Sequence, residues 1–228
     1  MFHVKQSTEN DKIFHKIIDL LLRENQIHNL SGIKDWQGMY DQHILDSLAV
    51  SDYISTLSDS NINVLDLGSG AGFPGLVIAI NNPNKKVAMI DSNRKKTTFI
   101  NLVLKELQIN NATALNSRIE DIGCPENANI VCAKALAPLD VLLEYASPLL
   151  KFGGILIAMK SSDIDEEASN ASLVASHLGF GDFKKMPYSL FQRNRQLLVF
   201  TKTKNSKIKL PRKNGEARNK PLRSKLCA

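Results

Sequence analysis

From residue 61 onward, short runs of apolar residues alternate with longer stretches whose apolar positions recur at helical spacing. The short runs predict strands at 63–67, 86–91, 112–116, 129–133, 154–159, 182–188 and 196–202, being brief and alternating with helical stretches. Between them the spacing predicts helices at 74–81, 94–108, 138–150 and 164–178; in 94–108 one face gathers Phe99, Ile100, Val103, Leu104 and Leu107. Strands separated by helices imply βαβ units and a parallel sheet. The last two strands have no helix between them, only a polar "QRNR" region, and so are expected to pair antiparallel.

Ahead of this pattern, Ile13, Phe14, Ile17, Ile18, Leu21 and Leu22 repeat at helical spacing, and Ile44, Leu45, Leu48 and Val50 form a second amphipathic stretch. The expected organisation is a helical cap at 1–58, an α/β domain at 59–204 and a tail at 205–228.

Charge changes the picture at that tail. Residues 202–228 hold ten basic side chains against Glu216 alone, a net of +9, while the rest of the chain is −3 within a total of +6. A terminal concentration of cations attracts polyanions, nucleic acid first, or else is a solvated appendage that aids solubility. No apolar run reaches the length of a membrane span, and the N-terminus lacks an apolar leader. Cys124, Cys132 and Cys227 are odd in number and far apart, so neither a disulfide framework nor a zinc site is expected, and a cytoplasmic monomer without metal is the default.

The stretch with the most chemistry is "VLDLGSGAGFPG", residues 64–75. In open parallel sheets ligands bind at the carboxyl ends of strands, beside the first glycine turn. Gly68, Gly70 and Gly72 permit a tight turn with positive φ and close approach of a ligand to the backbone, and Pro74 suits a helix start. A dinucleotide fingerprint needs glycine where Phe73 stands; the G-x-G-x-G spacing suits S-adenosylmethionine instead, which has no pyrophosphate to cradle. "KVAMIDS" places Asp91 at the end of the next strand, where a carboxylate can accept from both ribose hydroxyls, as it would for NAD as well. The blander reading is that the glycines only turn the chain and Asp91 caps the next helix.

The wording of the loop, "DLGSGAGFPG", resembles the signature of the ribosomal RNA small-subunit methyltransferase G family, once called glucose-inhibited division protein B. "NLSGIKDWQGMYDQHILDSL" at 29–48 is similar to that family's N-terminal hallmark. "IDSNRKKTTFI", "NSRIED", "GGILIAMK", "RQLLVFTK" and the tail's "PRKNGEARNKPL" fall in the family's order. The resemblance implies a class I S-adenosylmethionine-dependent methyltransferase: a Rossmann-like, mostly parallel seven-stranded sheet with a terminal antiparallel hairpin. It implies methylation at N7 of one guanine, nucleotide 527 in the 530 loop of 16S ribosomal RNA, on free RNA or a small-subunit assembly intermediate. Carried over by motif, Gly68 and Phe73 contact the cofactor from the loop and Ile119 and Glu120 flank its adenine; Gly70, Gly72 and Asp91, from the loop reading above, and Lys134 complete the expected cofactor residues. Lys134 stands where the family usually has arginine, exchanging a planar fork for a point charge. "MKSSD" departs from a lysine-glycine pair near the site.

Guanine N7 offers an in-plane lone pair and loses no proton on methylation, so no general base is needed. The residues agree, since "CAKALAP" at 132–138 stands in place of the [DN]-P-P-[YFW] motif of amine methylases. Cys132 reads as a buried strand residue rather than a nucleophile. No catalytic residue is expected beyond orientation. Arg118, Lys134 and Arg195 are candidate substrate contacts, and Arg195, Arg212 and Lys213 candidate RNA contacts, each with a surface ion pair as the plainer alternative. His43 and Asp46 carry no assigned chemistry; a packing histidine and a helix cap are the plain readings. Removing the tail is expected to lower RNA affinity and leave cofactor affinity alone. Two rival functions stand beside this one: a methyltransferase of another substrate, and an RNA-binding protein with a relic cofactor pocket.

Overall fold

A computed structural model describes residues 8–59, 61–123, 125–191 and 193–226; Cys124, Cys227 and Gln192 of "QRNR" lie outside them. The chain divides into two compact units, Met1–Ser117 and Arg118–Ala228. That seam falls inside the stretch 59–204 read from sequence as one domain.

The first unit runs α1 (Thr8–His28), α2 (Trp36–Met39), a π-helical turn (Tyr40–Leu45), α3 (Asp46–Ser55), β1 (Asn63–Leu67), α4 (Gly75–Asn81), β2 (Lys86–Asp91), α5 (Arg94–Glu106) and β3 (Ala112–Asn116). Its strands lie in the order β3-β2-β1, all parallel, with Leu67 beside Ile90 and Asp91 beside Asn116. The α1 stripe Phe14, Ile17, Ile18 and Leu21 is fully buried, which is why a polar-faced sequence forms a 21-residue helix here. Asp35 caps α2 by accepting from the Gly38 N–H at 2.7 Å. Asp46 is therefore no cap: it is buried and continues a helix already under way.

The second unit runs from a 3-10 turn (Ile119–Ile122) through β4 (Ala128–Lys134), α6 (Leu139–Ala146), β5 (Leu150–Ser161), α7 (Asp165–Ala175), β6 (Phe180–Leu190), β7 (Arg193–Lys202), α8 (Glu216–Asn219) and α9 (Arg223–Leu226). The strand order is β4-β5-β7-β6. β4 and β5 are parallel, and β7 inserts antiparallel to both β5 and β6, the expected terminal hairpin. Leu190 pairs with Arg193, so most of "QRNR" belongs to β7 rather than to the connection. The helix expected to reach residue 150 stops at Ala146, because β5 already starts at Leu150. Cys132 is buried within β4, as its plain reading required.

Between residues 205 and 224 the segment is packed, which corrects the picture of a loose appendage. Ala217 and Leu222 are 1% and 5% exposed, and Arg212 and Arg223 bond to carboxylates of α6. Lys202, at the end of β7, is buried with its ammonium donating to the carbonyls of Ser147 (2.7 Å) and Leu150 (2.9 Å) and to Glu126 (3.1 Å). Three partners match its three donors, the condition under which a buried ammonium is tolerated. Lys202→Met should lower unfolding stability by about 3 kcal/mol by stranding two carbonyls, read as a lower midpoint in denaturant unfolding of the full chain.

Candidate functional site

β1 ends at Leu67 and the chain turns at once. The N–H groups of Gly68 and Ser69 both donate to the Ile90 carbonyl, at 2.8 and 3.1 Å, which carries the β1–β2 pairing into the loop. Gly68, Gly70 and Gly72 have φ of +66°, +60° and +99°, so all three occupy conformations that L side chains rarely adopt. Buried Asp66 closes the turn from below by accepting from the Gly75 N–H at 2.9 Å. It supplies the acceptor at the start of α4 that Pro74, the cap position, cannot.

The glycines differ in what surrounds them. A Cβ on Gly72 would meet Leu76 at 2.5 Å, and one on Gly75 would meet Met89 at 2.3 Å. Both are glycine because the protein itself fills the space. A Cβ on Gly70 would meet nothing nearer than the Lys96 ammonium, 4.0 Å away. The bare face of the turn is therefore at Gly70, and there Asp91 arrives from β2. Its Oδ2 accepts from the Gly70 N–H at 2.9 Å and its Oδ1 from the Asn93 N–H at 2.8 Å. Each oxygen spends one lone-pair direction on a fixed backbone donor and keeps capacity for another. The cap of α5 is Asn93, which accepts from the Lys95 N–H, so Asp91 is not that helix's cap. A half-exposed, preset carboxylate beside bare backbone and a lysine fits an adenosyl-methionyl ligand.

Phe73 lies under the ring of His43, parallel within 4° and 4.8 Å between centroids. His43 sits in the π-helical turn, and its Nε2 is hydrogen-bonded to Ser31 Oγ at 2.9 Å. Ser31 in turn is held by buried Asn25, which accepts from its N–H and donates to its carbonyl. Helix α1 thus reaches the glycine turn through Asn25, Ser31, His43 and Phe73. The packing histidine expected from sequence packs on a predicted cofactor residue; the signal for it was a histidine inside a run of helical apolar positions, but its partner is thirty residues on.

In the second unit, Ile119 and Glu120 open the 3-10 turn, and Glu120 accepts from the Gly215 N–H at 2.9 Å. Arg118 is the cap position of that turn, and Lys134 is the last residue of β4. Arg195 pairs with Ser161 on β5 and Tyr188 on β6. Lys213 is exposed. Arg212 is not placed for phosphate: its side chain is 9% exposed and its guanidinium grips Glu144. Lys160 and Glu167 were missed from sequence. Lys160, inside "MKSSD", donates to Glu167 and to the Ala137 carbonyl, and Glu167 accepts the Leu139 N–H that opens α6. These groups border a cleft of about 590 Å³ at the carboxyl ends of β4 and β5, lined also by Ala135, Leu136 and Asp163. Among the described residues no cluster of metal-binding side chains occurs and no helix is long and apolar enough to cross a membrane.

Solved structures define the class. The chain superposes on magnesium protoporphyrin IX methyltransferase from Synechocystis with bound S-adenosylmethionine (TM-score 0.61, 12% identity, 89% of this chain and 100% of that one). It also superposes on an rRNA methylase from Streptococcus thermophilus (TM-score 0.51, 19% identity, 68% and 95%). The fold is that of class I S-adenosylmethionine-dependent methyltransferases. Residues 10–197 match the family described as rRNA small subunit methyltransferase G. Curated relatives named ribosomal RNA small subunit methyltransferase G include those of Lactococcus lactis, 34% identical over 97% of this chain and 95% of the relative. Another, from Desulforamulus reducens, is 36% identical over 94% and 92%. The chain belongs to the rRNA small subunit methyltransferase G family.

The contrast among the glycines gives a test. Gly70→Ala should fold, at a strain of about 1 kcal/mol, yet lose cofactor affinity by about tenfold or more because its methyl group occupies the bare face. Gly72→Ala should instead lower the melting temperature. Thermal melts paired with calorimetric titration of S-adenosylhomocysteine separate the two.

Proposed function

We propose that this protein is a 16S ribosomal RNA methyltransferase that transfers a methyl group from S-adenosylmethionine to N7 of guanine 527 in the 530 loop. The observation that carries the reading is the Gly70 turn bonded to Asp91, bare backbone beside a preset carboxylate, in a chain of this family. When bound, the cofactor supplies an electrophilic sulfonium methyl group. Gly68, Gly70, Gly72 and Phe73 receive its methionyl end and Asp91 its ribose; by the family's motifs Ile119, Glu120 and Lys134 also contact it. In the transfer the guanine N7 lone pair would form the new C–N bond as the methyl–sulfur bond breaks with its electron pair going to sulfur, and no proton would leave. The chain's task is therefore placement, an effect worth up to several kcal/mol. Arg118, Lys134 and Arg195 are assigned to the guanine and its neighbours.

On the tail, Lys204, Lys207, Lys209, Lys213 and Lys220 remain exposed, and we assign the attraction to RNA phosphates to them, with Lys213 the nearest substitute for Arg212. Loop RNA is the target whose bases can be splayed into such a cleft. A ribosomal RNA substrate supports a location in the cytoplasm.

Ribosomal RNA from cells lacking this protein should lack one N7-methylguanine in the 530 loop, restored by the wild-type gene and not by Asp91→Ala. Retention of that methyl group in the deletion strain would refute the assignment. In vitro, Asp91→Ala should weaken S-adenosylhomocysteine binding about tenfold or more, measured by calorimetry. RNA affinity should fall steeply with salt, and replacing Lys207, Lys209 and Lys213 by glutamine should flatten the log–log slope.

A further inference from the structure

The packed C-terminal segment raises a question that a phosphate-binding role leaves open. Three of its arginines are spent on the protein itself. Arg212 sets Nε and Nη2 on the two oxygens of Glu144, at 2.7 and 2.5 Å, while its Nη1 donates to Glu216 and to the Lys220 carbonyl, at 3.1 and 3.0 Å. Arg218 donates to the Leu136 carbonyl at 2.9 Å, on the connection that follows β4, and bonds to Tyr145. Arg223 donates to Asp140 at 2.5 Å. Glu144 and Asp140 are 4% and 1% exposed. A buried ion pair adds little net stability, because desolvation offsets the attraction. What a bidentate fork adds is direction: a planar guanidinium on a planar carboxylate has one orientation.

That orientation is transmitted a few residues on. With Arg212 closing the stretch 212–220 around one guanidinium, Gly215 takes φ +76° and aims its N–H at Glu120 Oε1 (2.9 Å), and Asn214 Nδ2 donates to Asp121 Oδ1 (3.0 Å). The receiving element needs outside bracing. The turn Ile119–Ile122 is four residues long, its cap position Arg118 makes no side-chain cap bond, and Gly123 ends it at φ +81°. A single short 3-10 turn does not hold a carboxylate in one place.

We propose that Pro211–Arg223 is a strap that fixes the Ile119–Ile122 turn for cofactor binding, with Arg212 and Asn214 as positioning residues acting through Gly215 and Asp121 on Glu120. The proposal rests on the reading that Ile119 and Glu120 flank the cofactor's adenine. It reverses one expectation from sequence, since loss of residues 205–228 then costs cofactor affinity as well as RNA affinity.

The test compares full-length wild type, Arg212→Lys, Arg212→Met, Asn214→Ala and Asp91→Ala, each by S-adenosylhomocysteine calorimetry and by melting of the protein without cofactor. Arg212→Lys keeps the charge without the fork, and Asn214→Ala removes one bond from an exposed residue. Both should weaken cofactor binding about fivefold, and Asn214→Ala should do so with its melting temperature unchanged. The Michaelis constant should rise for S-adenosylmethionine and stay the same for RNA. Should Arg212→Met fail to fold, Asn214→Ala decides. Wild-type affinity in Arg212→Lys and Asn214→Ala, with Asp91→Ala impaired, overturns the strap. Wild-type affinity in Asp91→Ala overturns the cofactor reading beneath it.

Discussion

The hydrogen bond from the Gly70 N–H to Asp91 Oδ2 ties the end of β1 to the end of β2. Two parallel strands leave their last carbonyls and the following loop without a regular ladder, and here Ile90 accepts from Gly68 and Ser69 while Asp91 accepts from Gly70. The turn can take positive φ at three alternate residues because they are glycines and backbone donors meet a fixed carboxylate. Asp66 repeats the device one step deeper, holding the first N–H of α4. Both oxygens of the Asp91 carboxylate are fixed by backbone donors, so on the proposed reading, in which Asp91 meets the ribose, little ordering would be left to binding.

The N-terminal helices extend that rigidity sideways. A phenylalanine at a ligand loop is free to change rotamer unless something covers its ring; His43 covers Phe73 in a parallel stack. The π-helical turn Tyr40–Leu45 is where His43 sits, an insertion that shifts side chains around the helix relative to a regular one and often marks a functional position. Ser31 and Asn25 then fix the imidazole from behind. For a transfer that needs no base, placement is the whole of the chemistry, and if Phe73 meets the cofactor as proposed, the segment 29–48 acts on that placement through His43.

Periodicity made the strands legible to within a few residues, since apolar runs record burial of local elements, and the absent helix between β6 and β7 foretold the antiparallel hairpin. Motif spacing singled out Gly70 and Asp91, which the structure brings together. What it could not find were pairings over long sequence separation. The π turn leaves the apolar spacing around Ile44 looking like an ordinary helix. Arg212 and Glu144 are 68 residues apart, and a cluster of cations reads as solvated until its partners are known. One signal was present: α6, "LDVLLEYA", is an apolar helix with Asp140 and Glu144 one turn apart. Buried carboxylates on such a helix demand cationic or backbone donors, and the tail is rich in them.

That division within the tail has a physical consequence. Exposed lysines act through long-range attraction, which salt screens over about 8 Å at physiological ionic strength. The pair Arg212–Glu144 is in contact and largely out of water, where mobile ions scarcely reach, and Arg223, itself a third exposed, meets a buried Asp140. Hydrogen bonding to Glu144 holds Arg212 more firmly protonated than usual, against the burial that opposes it. On the proposed reading, one segment therefore combines a salt-sensitive attraction to phosphates on exposed positions with a salt-insensitive anchorage through Arg212. Anchoring matters to the attraction itself, since cations fixed to a rigid surface lose less freedom on meeting RNA than cations on a loose chain.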